Sequence, residues 1–296
     1  MPNFSEGRDA ARIQALAAAI AGVPGAIVLD RTSDPDHNRT VITFAGSGST
    51  VVEAAVRGAR KAAELIDLTT QHGVHPRLGA LDVLPFVPLA DSSMRECIDI
   101  AHEAGRRIWK ELGIPVYFYE SAALRPDRKK LENVRRGEFD ALRVASAVDP
   151  AKAPDLGGPA LHPTAGAVAV GARKFLIAFN VNLQTGDVSI AKRIAKGIRE
   201  SSGGLPGVKA LGLQLGSRNL SQVSMNITDF ERTPVHVVLR EIEKLAAAES
   251  VLIAGYELIG LMPRRAVEMA LAEGIKLPGL DDGSILENRL DKFLPR

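Results

Sequence analysis

His72 and His75 stand three residues apart, a spacing that lets two imidazoles on one helix share a metal ion. Gly73 and Pro76 argue against a helix here, and no nearby carboxylate completes a ligand set, so chelation is a weak reading and no metal is expected. His75 draws interest for another reason. It opens His75-Pro-Arg-Leu-Gly-Ala-Leu-Asp-Val83, a loop that runs straight into an apolar strand, where a rigid scaffold can present a reactive side chain. Pro76 biases His75 toward extended backbone, Arg77 offers a fixed cation, and Gly79 lets main chain come close to a ligand. Such a histidine is either a proton-transfer group working near pH 7 or a packed side chain, and the loop alone leaves both open. His37, in a turn-like stretch, and His102 and His236, within helical patterns, read as solvated or packed side chains.

A second unusual segment is Asp155-Leu-Gly-Gly-Pro-Ala-Leu-His-Pro-Thr-Ala-Gly166, followed by Gly171-Ala-Arg-Lys-Phe175. Its glycines and small residues expose backbone N–H and C=O groups to a planar polar ligand. A free linker would be richer in Ser, Glu and Lys, whereas this stretch is apolar and stiffened by proline. Gly157-Gly-Pro is too short and irregular for a dinucleotide or phosphate-loop fingerprint.

The elements that would hold these residues are clearest in the C-terminal half. Residues 174–183 form an apolar, partly alternating run of strand length. Asp187 is a helix N-cap signal, and Ile190, Ile194 and Ile198 recur every four residues along one helical face. Residues 208–215 and 220–227 alternate as two strands joined by a hairpin-like 216–219. Thr233 and Pro234 open a helix with a stripe of Val235, Val238, Leu239, Ile242 and Leu245, and 251–259 closes the unit as a strand. The order β-α-β-β-α-β predicts a ferredoxin-like α/β sandwich. A similar order runs earlier: a helix over 9–21, strands at 26–30 and 40–44, and a helix opened by a capping box at Thr50-Val-Val-Glu53. A strand within 81–89, a helix over 94–112 and a strand at 115–119 follow. The fold class is therefore α/β (α+β), with two ferredoxin-like sandwich subdomains and mixed or antiparallel sheets. The proline- and glycine-rich stretch from about 143 to 164 breaks all periodicity and marks the junction.

Composition narrows the function classes. The 296 residues carry 37 Lys+Arg against 35 Asp+Glu, and aromatics are only 4%, so neither a basic excess nor stacking platforms point to nucleic acid. Charge position is more telling than the net +2. Residues 1–148 hold 19 basic and 19 acidic side chains, whereas 156–228 hold eight basic and two acidic, a local excess of +6. Lys192 to Arg199 read as a solvated helix face; Arg173, Lys174, Lys209 and Arg218, at strand ends, are candidates for attracting an anion. A lone cysteine, Cys97, excludes an intramolecular disulfide and a thiolate cluster, and fits a reducing cytoplasm. The N-terminus has no basic-then-apolar leader and no apolar run approaches the length of a membrane span, so secretion and membrane insertion are not expected.

Five separated motifs agree in order and spacing with one family. Pro2-Asn-Phe-Ser-Glu-Gly7, Asn38-Arg-Thr-Val41, His75-Pro-Arg-Leu-Gly-Ala-Leu-Asp-Val83, Gly171-Ala-Arg-Lys-Phe-Leu-Ile-Ala-Phe-Asn-Val-Asn-Leu183 and Asn219-Leu-Ser-Gln-Val-Ser-Met-Asn226 resemble the glutamate formiminotransferases (glutamate formimidoyltransferases) from Pro2 to about Ala270. The resemblance implies transfer of a formimino group from N-formimino-L-glutamate to N5 of tetrahydrofolate, a step of histidine breakdown, by a cytoplasmic homodimer with tetrahydrofolate as co-substrate. It implies an N-terminal subdomain over 1–150, a junction carrying the folate-binding segment over 151–172, and a C-terminal subdomain over 173–296. The family's cyclodeaminase domain is expected to be absent. The family pattern also places a few apolar residues before Pro-Asn-Phe-Ser as an edge strand, and here only Met1 precedes it.

By the same resemblance the catalytic histidine falls on His75, as general acid/base. The folate-binding stretch falls on Gly157, Gly158, Pro159, Ala160, Leu161, His162, Pro163, Thr164, Ala165 and Gly166. A formimino group is an amidine, and Asp82, from the His75 motif, is the candidate carboxylate to hold it. Both substrates carry carboxylates, which makes Arg39, Arg77, Arg173 and Lys174 candidate anchors, with Asn3 and Asn38 as polar positioning groups. A formyl donor in place of the formimino one, or a folate binder without turnover, are the alternatives; an intact acid/base motif speaks against the second.

Overall fold

The computed structural model describes residues 1–293, and it divides into two compact units, Met1–Lys174 and Phe175–Arg296. Residues 294–296 of the expected C-terminal subdomain lie outside the described residues.

In the first unit the chain runs β1 (Asn3–Phe4), α1 (Ala10–Ala21), β2 (Ile27–Asp34), β3 (Arg39–Ala45), α2 (Gly48–Leu65), β4 (Leu81–Phe86), α3 (Met94–Leu112) and β5 (Val116–Glu120), then the short α4 (Leu131–Val134), α5 (Glu138–Val148) and β6 (Val168–Ala172). Its six strands form one mixed sheet in the order β2-β3-β1-β4-β6-β5. The first four strands in that order are mutually antiparallel and repeat the ferredoxin-like arrangement, while β4, β6 and β5 are parallel. Helix α1 starts where Asp9 accepts hydrogen bonds from the N–H groups of Ala11 and Arg12, and it buries Ile13, Leu16 and Ile20. Helix α3 opens on a reciprocal Ser93–Glu96 capping box. The box expected at Thr50-Val-Val-Glu53 is not the start of α2, which begins two residues earlier at Gly48; Thr50 instead meets the Ser47 hydroxyl at 2.8 Å.

Two further features depart from the sequence reading. A strand forms at Asn3–Phe4, inside the Pro-Asn-Phe-Ser motif where the sequence reading places none, and it is not an edge strand. With two residues it sits between β3 and β4, and Phe4 is fully buried. Residues 151–172 lie within the first unit, and Val168–Ala172 is an interior strand buried along its whole length. Prolines and glycines before it had masked a parallel strand whose Val-Ala-Val-Gly-Ala run has no polar alternation to betray it.

The second unit runs β7 (Ile177–Leu183), α6 (Val188–Ile198), β8 (Val208–Leu215), β9 (Leu220–Ile227), α7 (Val235–Ala248), β10 (Ile253–Ile259), α8 (Arg264–Ala272) and α9 (Leu286–Leu290). Its sheet, β10-β7-β9-β8, is antiparallel throughout, the ferredoxin-like order that the periodicity predicts. Ile177, Phe179, Val181 and Leu183 of β7 join one core with Ala191, Ile194 and Ile198 of α6 and Val235, Val238, Leu239 and Ile242 of α7. No helix among the described residues is long and apolar enough to cross a membrane.

Candidate active site

The loop that carries His75 joins α2 to β4 and is fastened on both sides. Toward the β2–β3 turn, Asn38 accepts a hydrogen bond from Gly7 N at 2.9 Å and donates to His72 O at 2.9 Å, and Gln71 donates to Asn38 O at 3.0 Å. Toward residues 162–167, Leu68 N donates to Thr164 O and Ala80 N to Ala165 O, both at 2.9 Å. Gly79 and Gly166 face each other in an isolated antiparallel bridge. A side chain at Gly79 would place its Cβ 2.0 Å from Ala167 O, and Gly166 has φ +70°, so each crossing residue needs the space or the conformation only glycine gives. Two motifs more than eighty residues apart in the chain are thus laced together.

Within this frame His75 is half-buried. Its Nδ1 lies 2.9 Å from the carbonyl oxygen of Pro76. A carbonyl can only accept, which assigns the ring proton to Nδ1 and leaves the lone pair on Nε2. The His37 ring lies against it, with centroids 5.8 Å apart. Burial first, then the positive charges of Arg39 and Arg135, lower the His75 pKa well below its ordinary 6.5, although the residue as a whole is only half-buried. The imidazole is therefore neutral at pH 7, with a free basic nitrogen.

Beside it lies a buried charge cluster. Asp82 is wholly inaccessible; its Oδ1 accepts from Leu78 N and its Oδ2 from Arg39 at 2.7 Å, and Arg135 also bonds to Oδ2. Burial pushes the Asp82 carboxyl up, but Arg135 and Arg39 outweigh it and hold it below the usual range. Arg39 in turn donates from Nε and Nη2 to the Asn3 Oδ1 at 3.2 and 3.0 Å, and burial brings its own pKa down to about 10 against the pull of Asp82. The local fold explains how Asp82 comes to be there. Asn3 pairs with Val83 and Phe4 with Leu81, so Asp82 is the extra residue of a bulge in β4, a device that re-aims a side chain.

His75, Asn3, Arg39 and Asp82 are thus brought together. The other expected contacts divide. Asn38 is engaged in fastening the loop. Arg77 turns its guanidinium toward Glu138 at 3.8 Å and Asp140 at 3.7 Å. Arg173 donates to Lys174 O and neighbours Tyr119, while Lys174 is exposed. Asp82 does not offer a carboxylate to a formimino group: both its oxygens are engaged and none of its surface is accessible. Arg135, Tyr119 and His37 went unrecognised as members of this neighbourhood. No spacing in the sequence ties Arg135, just after α4, to a strand more than fifty residues before it.

The segment 157–166 has two parts. From His162 to Gly166 it is bonded to itself and to the His75 loop; His162 Nδ1 accepts from Ala165 N at 3.0 Å. Gly158, Pro159 and Ala160 are exposed, and no main-chain hydrogen bond to 157–161 is formed among the described residues. Trp109, itself 39% exposed, lies against Gly157.

Comparison with known proteins gives a consistent picture. The model of the formiminotransferase domain, N-terminal subdomain, matches residues 1–173, and that of the formiminotransferase domain matches 178–274. The chain is 44% identical to a glutamate formimidoyltransferase of Thermoplasma acidophilum over 99% of its own length and 96% of that protein. It is 43% identical to one from Streptococcus pyogenes, over 98% of this chain and 97% of that protein. A formimidoyltransferase-cyclodeaminase of Gallus gallus is 45% identical over 90% of this chain but only half of its own length.

Proposed function

The chain belongs to the formiminotransferase family, and from that premise we propose that His75 is the general acid/base of its reaction. The enzyme transfers the formimino group of N-formimino-L-glutamate to tetrahydrofolate, giving 5-formimino-tetrahydrofolate and L-glutamate. The observation that carries the role of His75 is its neutral ring with Nδ1–H directed to Pro76 O and Nε2 left as a base.

The chemistry follows from that geometry. N5 of tetrahydrofolate attacks the formimino carbon, a C–N bond forms, and Nε2 of His75 takes the N5 proton. The imidazolium so formed stands beside Arg39 and Arg135, which makes it a strong acid. It returns the proton to the glutamate nitrogen as the second C–N bond breaks, and the site is reset. Asp82 acts on the protein rather than the substrate, holding two guanidiniums in place.

Residues Gly157 to Gly166 are the folate-binding segment in this reading. The exposed residues 158–160, following Gly157 against which Trp109 lies, support it, since a pterin needs amide donors and acceptors together with a flat apolar neighbour. Arg173 and Lys174 serve the substrate carboxylates, Asn3 holds Arg39 beside Asp82, and Arg77 and Asn38 support the loop. The enzyme works as a homodimer in the cytoplasm. The test mixes the protein with formiminoglutamate and tetrahydrofolate and follows 5-formimino-tetrahydrofolate. Turnover retained by His75→Gln would overturn the role of His75, and N-formylglutamate run in parallel separates the two donors.

A further inference from the structure

Arg39 and Arg135 both reach Oδ2 of Asp82, yet the two guanidiniums are not equally satisfied. Arg39 has an acceptor at each nitrogen: Asp82 for Nη1, and Asn3 Oδ1 for Nε and Nη2. Arg135 has Asp82 at Nη2 alone. Its Nε is buried without a hydrogen-bond partner, and no other hydrogen bond or ion pair of this guanidinium exists among the described residues. A guanidinium carries five N–H donors, and buried ones are normally all paired. The charge is incomplete as well. One carboxylate, Asp82, faces two cations, and the neighbouring His75 and Tyr119 do not add a negative charge: the first is neutral or cationic, and burial holds the second protonated. About 13% of the Arg135 side chain stays accessible, so the donors are not sealed off.

We propose that Arg135 is a carboxylate-binding residue of this site, fixed by Asp82 at Nη2 so that its remaining N–H donors take a carboxylate of the substrate and the arriving anion completes the charge balance. This deepens the reaction proposed above and rests on it. The fork geometry of arginine suits a carboxylate better than a lysine ammonium would. The carboxylate has two sources, the amino-acid donor and the glutamyl portion of the folate.

Steady-state kinetics of wild type, Arg135→Lys and Arg135→Gln test this, each substrate being varied at saturation of the other at pH 8, where His75 is neutral with or without Arg135. Arg135→Gln is expected to raise KM about tenfold or more for the substrate whose carboxylate it holds, and to lower kcat much less; tenfold is what one lost charge-assisted hydrogen bond produces. The KM that moves names the source. Arg135→Lys keeps the charge and loses the fork, so a KM between the other two is expected, and it takes over as the test if Arg135→Gln does not fold. Both KM values unchanged, or a loss confined to kcat, would overturn the inference. Absence of turnover in the wild-type protein would instead overturn the proposed reaction.

Discussion

His75 and its two cationic neighbours give the site a pH dependence. A histidine whose folded-state pKa lies below 6.5 is deprotonated in the native protein at a pH where the unfolded chain already binds the proton. Stability from this group is thus intact above about pH 6.5 and declines as the pH falls below it. Thermal unfolding of wild type and His75→Gln between pH 8 and 5 should show the difference, with the variant losing less stability on acidification. The same shift predicts kcat/KM to stay level from pH 8 to 6.5 and to fall only at lower pH, because Nε2 must be unprotonated to accept a proton. Asp82→Asn leaves two buried guanidiniums without their counter-charge and should cost about 3–5 kcal/mol in denaturant unfolding. Isothermal denaturation of that variant gives the number directly.

Among the elements, the crossing of Gly79 with Gly166 is the most demanding. An Ala at Gly79 forces a backbone shift, since its Cβ would sit 2.0 Å from Ala167 O. Gly79→Ala should therefore lower stability by several kcal/mol and activity with it, because the same bridge aligns the His75 loop. Ser93→Ala, at the start of α3, should cost about 1 kcal/mol in denaturant unfolding, since the capping box with Glu96 is lost. Such elements differ in how far the sequence reveals them. The strands and helices of the second unit announce themselves, since β7 alternates and α6 and α7 carry helical apolar stripes that need no distant partner to be seen. The loop around His75 stands out in the sequence, but the role given to that histidine comes from the family resemblance and not from the spacing of its neighbours. β1 and β6 were hidden because two residues, or a run of Val, Ala and Gly, acquire strand character only from neighbours supplied by far segments of chain. Arg135 was hidden for the same reason. Its partner is fixed by a bulge in β4 that no periodicity encodes.

At the scale of the whole molecule, each unit has its own apolar core. Phe179, fully buried in the second, should cost about 3–5 kcal/mol on substitution by Ala, read as an earlier denaturant midpoint. A near-zero total charge would suggest indifference to salt, but Arg39, Arg135, Arg173 and the exposed Lys174 of the first unit predict that kcat/KM for anionic substrates declines as ionic strength rises. The placement of β6 bears on how the protein is made. Residues 168–172 fill a slot between β4 and β5, both of which leave the ribosome far earlier, so the first sheet stays open at its middle until nearly all of its unit has been synthesised. Until that strand arrives, the exposed edges of β4 and β5 are free to pair wrongly, a hazard of late-closing sheets of high contact order. The gap is closed only when the segment that follows residues 157–166 is drawn across it, so that completing the sheet and fastening the His75 loop are a single step of assembly.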